Sequence, residues 1–114
     1  VVLPDHLHAI WRLPEGDDAY STRMQVFKFR FTSALKTRGL EIPHRNDGRI
    51  LWARRFWEHT IRDDRDLRAH IDYVHYNPVK HGWAHYAAAW PYSTFHREVA
   101  AGRLPRDWGV APIA

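Results

Sequence analysis

Residues 50–78 read ILWARRFWEHTIRDDRDLRAHIDYVHYNP, and the pattern of this stretch changes halfway along. Up to Ile61, large side chains fall on both faces of an extended chain, which predicts a strand. Asp63 or its neighbour Asp64 then offers a side chain suited to cap a helix. We expect that helix to stop immediately before Pro78, because a proline disfavours helical geometry in the residue that precedes it.

Further elements are expected on both sides of this strand and helix. They are two strands at Val1–Leu3 and Leu7–Trp11, interrupted at Pro4-Asp5, a helix capped by Ser21 that ends near Gly39, and a short helix capped by Ser93 or Thr94. The order of elements predicts an α+β fold, a ferredoxin-like antiparallel sheet with helices on one or both faces. Because the first residues already have strand character, we expect the sheet to be incomplete at its N-terminal end.

The composition limits the class of protein. The chain has 114 residues, of which 45% are hydrophobic, and this suits a single domain over residues 1–114. Cysteine is absent, so disulfides and cysteine nucleophiles are excluded. The sequence shows neither a signal peptide nor an apolar run of about 20 residues, which predicts a cytoplasmic protein without a membrane span. The net charge of +4 favours an anionic partner.

Two histidines near the start form the first candidate site. In a strand, residues two apart point to the same face, so His6 and His8 share one face and Leu7 turns to the other. Two imidazoles on one face can bind a divalent ion and leave positions open for a substrate. The alternative is a pair of histidines without a metal, because so short a pattern also recurs by chance.

The helix before Pro78 holds the second candidate site. Tyr73 and Asn77 are four residues apart and therefore lie on one helical face, together with His70. The Asn77 carbonyl oxygen is a possible third metal ligand, and a tyrosine beside a metal is suited to attack a phosphodiester. The alternative is an amphipathic helix in which Tyr73 is packed and Asn77 caps the end.

Several stretches together resemble the REP-associated tyrosine transposases, a branch of the single-tyrosine HUH transposases, in which HUH stands for His, hydrophobic, His. Their joint order along nearly the whole chain makes the resemblance specific. The matching stretches are VLPDHLH (2–8), LPEGD (13–17), YSTR (20–23), WARRFWEHTIRD (52–63), DYVHYNPVKHG (72–82), WPYSTF (90–95) and DW (107–108).

The resemblance implies roles for four residues. His6 and His8 match the pair that binds a divalent metal, Mg²⁺ or Mn²⁺, and imidazole ligands suit Mn²⁺ better. Tyr73 matches the nucleophile, whereas the family position of Tyr76 also accepts tryptophan, which cannot attack a phosphate. Asn77 matches a polar position that related enzymes fill with glutamine and direct towards the metal.

The implied reaction is the cleavage and rejoining of single-stranded DNA at a repetitive extragenic palindrome (REP) hairpin. It proceeds through a 5′-phosphotyrosine and leaves a free 3′-OH. Two alternatives stay open at this point: a hairpin-binding module without catalysis, and a His-rich metal hydrolase that uses activated water. The resemblance also implies a bacterial, nucleoid-associated protein, and some related enzymes form homodimers while others work alone.

Cations and aromatic residues are interleaved elsewhere in the chain. Such a mixture can contact phosphates and stack on exposed bases, although a solvated charged face is the alternative. The family also places a strand and a helix before the HUH strand, so we expect this domain to be N-terminally truncated. The candidate DNA contacts are Arg54, Arg55, Arg62 and Lys80, and the expected core anchors are Trp83, Trp90 and Trp108.

Overall fold

The computed structural model describes residues 1–41, 51–53 and 56–112, and the chain divides into two compact units. The first unit combines Val1–Trp11 with Thr60–Ala114, and the second unit is Arg12–His59. None of the helices in the described ranges is both long enough and apolar enough to cross a membrane. The helices are α1 (Tyr20–Thr37), α2 (Asp64–Lys80), a short 3₁₀ helix (Ala87–Ala89) and α3 (Phe95–Ala100).

The start of α1, in the second unit, is set by an aspartate rather than by the predicted serine. The Asp17 carboxylate accepts a hydrogen bond of 2.8 Å from the backbone N–H of Ala19, the residue that precedes the helix, and pairs with Arg23 in the first turn. Ser21 lies inside the helix, so its assignment as the cap was wrong. The reason is that a carboxylate placed before the first turn can satisfy a free N–H and interact with the helix dipole at once.

The end of α1 confirms the predicted glycine. Gly39 has a φ of +79°, a conformation that glycine adopts without steric cost. Its N–H donates to the Lys36 carbonyl (2.9 Å), and the Leu40 N–H donates to the Leu35 carbonyl (3.1 Å). These two bonds form a Schellman motif, which occupies the last free carbonyls of the helix.

The apolar face of α1 is only partly covered among the described residues. The Phe27 and Phe31 rings contact the Trp52 ring edge-on, with centroids 5.9 and 5.5 Å apart, and the Trp52 indole donates to the Thr32 hydroxyl at 3.2 Å. No residue of α1 is buried. Among the described residues this face is covered by Trp52 and, at Tyr20, by the Phe56 ring, whose centroid lies 6.4 Å away.

In the first unit, α2 begins as the sequence predicts. The Asp63 side chain caps the helix by accepting a hydrogen bond of 2.8 Å from the Asp66 N–H. Asp64 and Asp66 then place negative charge in the first turn, where the helix dipole favours it. Local residues therefore fix where α2 starts.

The predicted end of α2 at Pro78 was wrong, because the helix continues to Lys80. A proline lacks an N–H, but Pro78 and Asn77 are both fully buried, and this packing offsets the missing hydrogen bond. The stop comes at Gly82, which has a φ of +77°. The Gly82 and Trp83 N–H groups donate to the Val79 and Pro78 carbonyls in a second Schellman motif.

The core of the first unit lies between α2, α3 and the C-terminal residues. Phe95 is fully buried, and its ring lies 5.8 Å from that of Trp108, which also contacts Tyr76. This confirms Trp108 as an anchor. At the start of α3 the Phe95 N–H donates to the Ser93 hydroxyl at 3.1 Å, while Thr94 makes no capping bond.

The predicted sheet is not confirmed among the described residues. There, β pairing is limited to two isolated bridges, Val2 with Leu7 and Tyr86 with Val110, and residues 51–53 and 56–61 form no strand. The two predicted N-terminal strands instead pair with each other as a tight hairpin around Pro4-Asp5. A strand needs a neighbour to accept its hydrogen bonds, and here each half of the hairpin serves the other.

Candidate active site

The N-terminal hairpin positions the two histidines of the HUH pattern. Leu7 pairs with Val2, so His6 and His8 project on the opposite side from Leu7, as strand alternation requires. Their rings lie 5.1 Å apart in an edge-to-face arrangement, and both residues are half-buried. The hairpin thus presents two imidazoles as one cluster.

Helix α2 brings Tyr73 and Asn77 to these imidazoles. Asn77 is fully buried, and its Oδ1 lies 3.3 Å from His6 Nε2. The Tyr73 ring lies edge-to-face with the His8 ring, with centroids 5.4 Å apart. The four residues that the sequence pattern singles out therefore meet, although more than sixty positions separate the hairpin from α2.

The contacts of His6 leave a place for a cation. Its Nδ1–H donates to Asp5 Oδ1 at 2.6 Å, and this bond lowers the pKa of the Asp5 carboxyl. The His6 Nε2 lies 3.3 Å from Asn77 Oδ1, and in the tautomer that donates from Nδ1 alone this nitrogen carries a lone pair. A carboxylate that orients an imidazole in this way is the usual support for a metal-binding histidine.

Two buried nitrogen atoms of the cluster have no hydrogen-bond partner in the described chain. They are His8 Nε2 and Asn77 Nδ2. Burial, followed by the nearby His6, lowers the pKa of His8, so the ring is neutral near pH 7 and keeps a lone pair for a ligand bond. Imidazole nitrogens and an amide oxygen are donor types that bind divalent cations, and the 3.3 Å between His6 Nε2 and Asn77 Oδ1 is close to the roughly 3 Å that separates two ligand atoms on one ion.

Tyr73 has a cationic neighbour. The tyrosine is 44% exposed, so its hydroxyl is open to a substrate. Lys80 Nζ donates to the hydroxyl at 3.4 Å and lies 4.8 Å from the ring centroid. This ammonium group, followed by the Asn77 amide, lowers the pKa of Tyr73 and so favours its conversion to phenolate. The structure therefore places Lys80, a candidate DNA contact, against the tyrosine.

The cluster contains a third imidazole, which the sequence pattern does not place there. The His81 ring lies 5.0 Å from the His6 ring, edge-to-face. His81 follows α2 directly, and it arrives there only because the helix passes through Pro78. Recognising Gly82 as the helix stop would have indicated the same position.

Other aromatic and histidine residues of α2 lie away from the cluster. Tyr76 contacts Trp108, which leaves Tyr73 as the tyrosine of α2 that faces the histidines. His75 is buried and shares a hydrogen bond of 2.7 Å with the Thr94 hydroxyl, so it points away from Tyr73. His70, expected on the face of Tyr73, contacts Asp66 at 3.1 Å.

Of the remaining candidate DNA contacts, Arg62 does not join this cluster. Arg62 is exposed just before α2, and its backbone N–H donates to Asp66. Lys80 is at the other end of the helix, about 25 Å away for 17 residues at 1.5 Å each. Arg54 and Arg55 lie outside the described residues.

One of the expected core anchors lies elsewhere than predicted. Trp83 is 50% exposed, so its assignment to the core was wrong. Trp90 is half-buried, and its indole N–H donates to the Val2 carbonyl at 2.8 Å. The positive φ of Gly82 directs the chain outwards at the end of α2, which explains the exposure of the residue that follows.

Comparison with known proteins gives a consistent result. No family model matches the chain. It is 49% identical over 108 residues to the REP-associated tyrosine transposase of Escherichia coli, covering 95% of this chain and 59% of that protein. It is 47% identical over 116 residues to a protein given the same family name in Haemophilus influenzae, covering 97% of this chain and 65% of that protein.

A solved structure agrees with these relatives. It is a REP-associated tyrosine transposase bound to a REP hairpin, with a TM-score of 0.69 and 44% sequence identity, covering 90% of this chain and 60% of that one. These comparisons relate the chain to the class of tyrosine transposases. Within that class it is homologous to the REP-associated branch, which confirms the resemblance, and it spans about three fifths of the length of these relatives.

Proposed function

We propose that this chain cleaves and rejoins single-stranded DNA at a REP-type hairpin, with Tyr73 as the nucleophile. The observation that carries the proposal is the meeting of Tyr73 with His8 at 5.4 Å and of Asn77 with His6 at 3.3 Å. A phenol beside a set of metal-ligating atoms is suited to phosphodiester attack, and neither feature alone would be. The relatives named tyrosine transposases, one of them bound to a REP hairpin, support it.

The proposed chemistry is a transesterification. The Tyr73 hydroxyl loses its proton to solvent and its oxygen forms a bond to phosphorus, while the bond from phosphorus to the 3′ oxygen breaks. That oxygen takes up a proton and becomes a free 3′-OH. Attack of a 3′-OH on the phosphotyrosine reverses the step and rejoins the strands, so no external energy source is needed. Lys80 supports the attack by stabilising the phenolate.

In this proposal His6, His8 and Asn77 hold the divalent metal, Mg²⁺ or Mn²⁺. The unpartnered His8 Nε2 and the facing His6 Nε2 and Asn77 Oδ1 support this ligand set. When bound, such an ion supplies positive charge beside the phosphate. Two imidazole ligands favour Mn²⁺ over Mg²⁺, because Mg²⁺ prefers oxygen ligands.

The test uses a REP hairpin with a single-stranded tail, labelled at its 3′ end, because the 5′-phosphotyrosine stays on the 3′ fragment. With Mn²⁺ we expect a covalent protein–DNA adduct that resists denaturing gel electrophoresis. The change Tyr73→Phe removes the attacking oxygen and should abolish the adduct. Tyr76→Phe is the matched control and should preserve it, because the Tyr76 ring serves packing against Trp108.

Two outcomes would contradict the proposal. Cleavage that persists in Tyr73→Phe but is lost with His6→Ala would indicate a metal hydrolase that uses water. Salt-sensitive hairpin binding without any adduct would indicate a DNA-binding module without catalysis.

A further inference from the structure

Three aromatic side chains of the first unit form an exposed row beside the candidate active site. We call Trp83, Trp90 and Tyr92 the aromatic platform. Ring centroids are 6.4 Å apart between Trp83 and Trp90, and 6.0 Å apart between Trp90 and Tyr92. Trp83 is 50% exposed and Tyr92 66% exposed, so the two outer rings present most of their surface to solvent. Rings this large are more often buried, so two exposed rings flanking a half-buried one form a candidate binding surface.

Hydrogen bonds fix the platform to the hairpin that carries the histidines. The Trp90 indole donates to the Val2 carbonyl at 2.8 Å, and the Val2 N–H donates to the Tyr92 carbonyl at 2.9 Å. Val2 pairs in turn with Leu7, the residue between His6 and His8. The platform is therefore one residue pair away from the imidazole cluster.

A second attachment links the platform to the helix of the nucleophile. The Trp83 N–H donates to the Pro78 carbonyl at 2.8 Å in the Schellman motif that ends α2. Lys80, which contacts the Tyr73 hydroxyl, lies three residues before Trp83. The platform thus adjoins both halves of the candidate active site, and its backbone is held in place on either side.

We propose that the aromatic platform stacks the unpaired bases of the single-stranded DNA that leads to the scissile phosphate. This inference rests on the proposed function and adds the surface that holds the strand. Every base has a π-face, so stacking tolerates sequence, and preplaced rings lose little entropy on binding. The central indole N–H is already used by Val2, so that ring offers stacking rather than hydrogen-bond recognition. The net charge of +4 suits the same polyanion.

The test compares two DNA ligands on the intact chain by fluorescence anisotropy. One is a hairpin with a single-stranded tail, and the other is the same hairpin without the tail. We expect the double variant Trp83→Ala, Tyr92→Ala to bind the tailed ligand about tenfold or more weakly, from the loss of base stacking. Binding of the tailless hairpin should not change.

Two kinds of control accompany this comparison. Tyr86→Ala is matched, because Tyr86 is an exposed tyrosine of the same unit whose backbone pairs with Val110 rather than with Val2, and it should bind both ligands normally. Trp83→Phe with Tyr92→Phe retains the π-faces and should restore most of the affinity. The unchanged protein should bind a hairpin with an abasic tail as weakly as the double variant binds the normal tail. This measurement does not depend on how any variant folds.

The two proposals fail in different ways. If the unchanged protein forms the adduct but binds abasic and normal tails equally, the platform inference is overturned and the proposed function stands. If it binds tails through the platform but never forms an adduct, the proposed function fails and the platform stands. Concentration-dependent self-association that the double variant loses, with tail affinity unchanged, would assign the platform to contacts between copies and overturn the inference.

Discussion

Among single residues, Tyr73 and Lys80 act as a pair. The ammonium group lies 3.4 Å from the phenol oxygen and 4.8 Å from the ring, and it is the main cause of the lowered pKa of Tyr73. A cation favours the charged phenolate over the neutral phenol. The lysine therefore favours the phenolate form of Tyr73.

This pairing predicts a measurable titration. Lys80→Gln removes the cation, so the pKa of Tyr73 should rise towards its ordinary value of about 10. Ultraviolet absorption of tyrosinate in the metal-free protein, taken as the difference from Tyr73→Phe, would show it. Lys28→Gln is the matched control, because Lys28 lies over the Trp52 and Phe56 rings and no tyrosine. An unchanged Tyr73 titration in Lys80→Gln would refute the pairing.

Local periodicity could predict which site residues share a face, but not that the two faces meet. A spacing of two puts His6 and His8 on one face of an extended chain, and a spacing of four puts Tyr73 and Asn77 on one face of a helix. Periodicity does not say which face meets which, and there the family resemblance supplied the expectation. His81 could not be placed, because its position depends on how α2 ends.

At the scale of elements, the end of α2 decides what reaches the site. The helix continues for two residues beyond Pro78, and this addition delivers Lys80 to Tyr73 and then His81 to His6. The proline rule describes a helix without tertiary contacts, whereas here burial of Pro78 outweighs one lost hydrogen bond. The glycine at position 82 was the more informative stop signal.

The stop at Gly82 predicts a loss of stability on substitution. Gly82→Ala should lower the free energy of unfolding by about 1 kcal/mol, because an L-residue is strained at positive φ. In the part of the chain that the structure describes, nothing lies within 4 Å of an added Cβ, so the effect comes from the backbone. Urea denaturation measures it. Gly82→Asn is the matched control and should lose less free energy of unfolding, since asparagine tolerates this conformation. Equal stability of the two variants and the unchanged protein would contradict the role of the Schellman motif.

For the whole molecule, the helices could be predicted and the sheet could not. Caps and glycines act within a few residues, so Asp63 and Gly39 were identified correctly. Pairing of a strand depends on which distant segment lies beside it, and alternation alone does not give that partner. The described residues of the predicted strand after Ile50 accordingly form no strand.

The excess of positive charge predicts salt-sensitive binding. Hairpin affinity should fall as salt rises, and Arg62→Gln should reduce the slope of log K against log salt by about 0.7–0.9 if Arg62 contacts one phosphate. Arg103→Gln is the control, because Arg103 is already paired with Glu98 at 2.5 Å and should leave the slope unchanged. Fluorescence anisotropy at several salt concentrations measures these slopes. Equal slopes for Arg62→Gln and the unchanged protein would show that Arg62 does not contact the DNA.

All three α-helices of the described chain end in a Schellman motif. Gly39, Gly82 and Gly102 each follow a helix at positive φ, with paired backbone bonds to carbonyls in its last turn. Because these bonds join residues at most five positions apart, those after Gly39 and Gly102 can form in a nascent chain before any tertiary contact exists. At Gly82 the same motif ends a helix that passes through Pro78 only when Pro78 is buried, so the register that delivers Lys80, His81 and Trp83 is settled together with tertiary collapse.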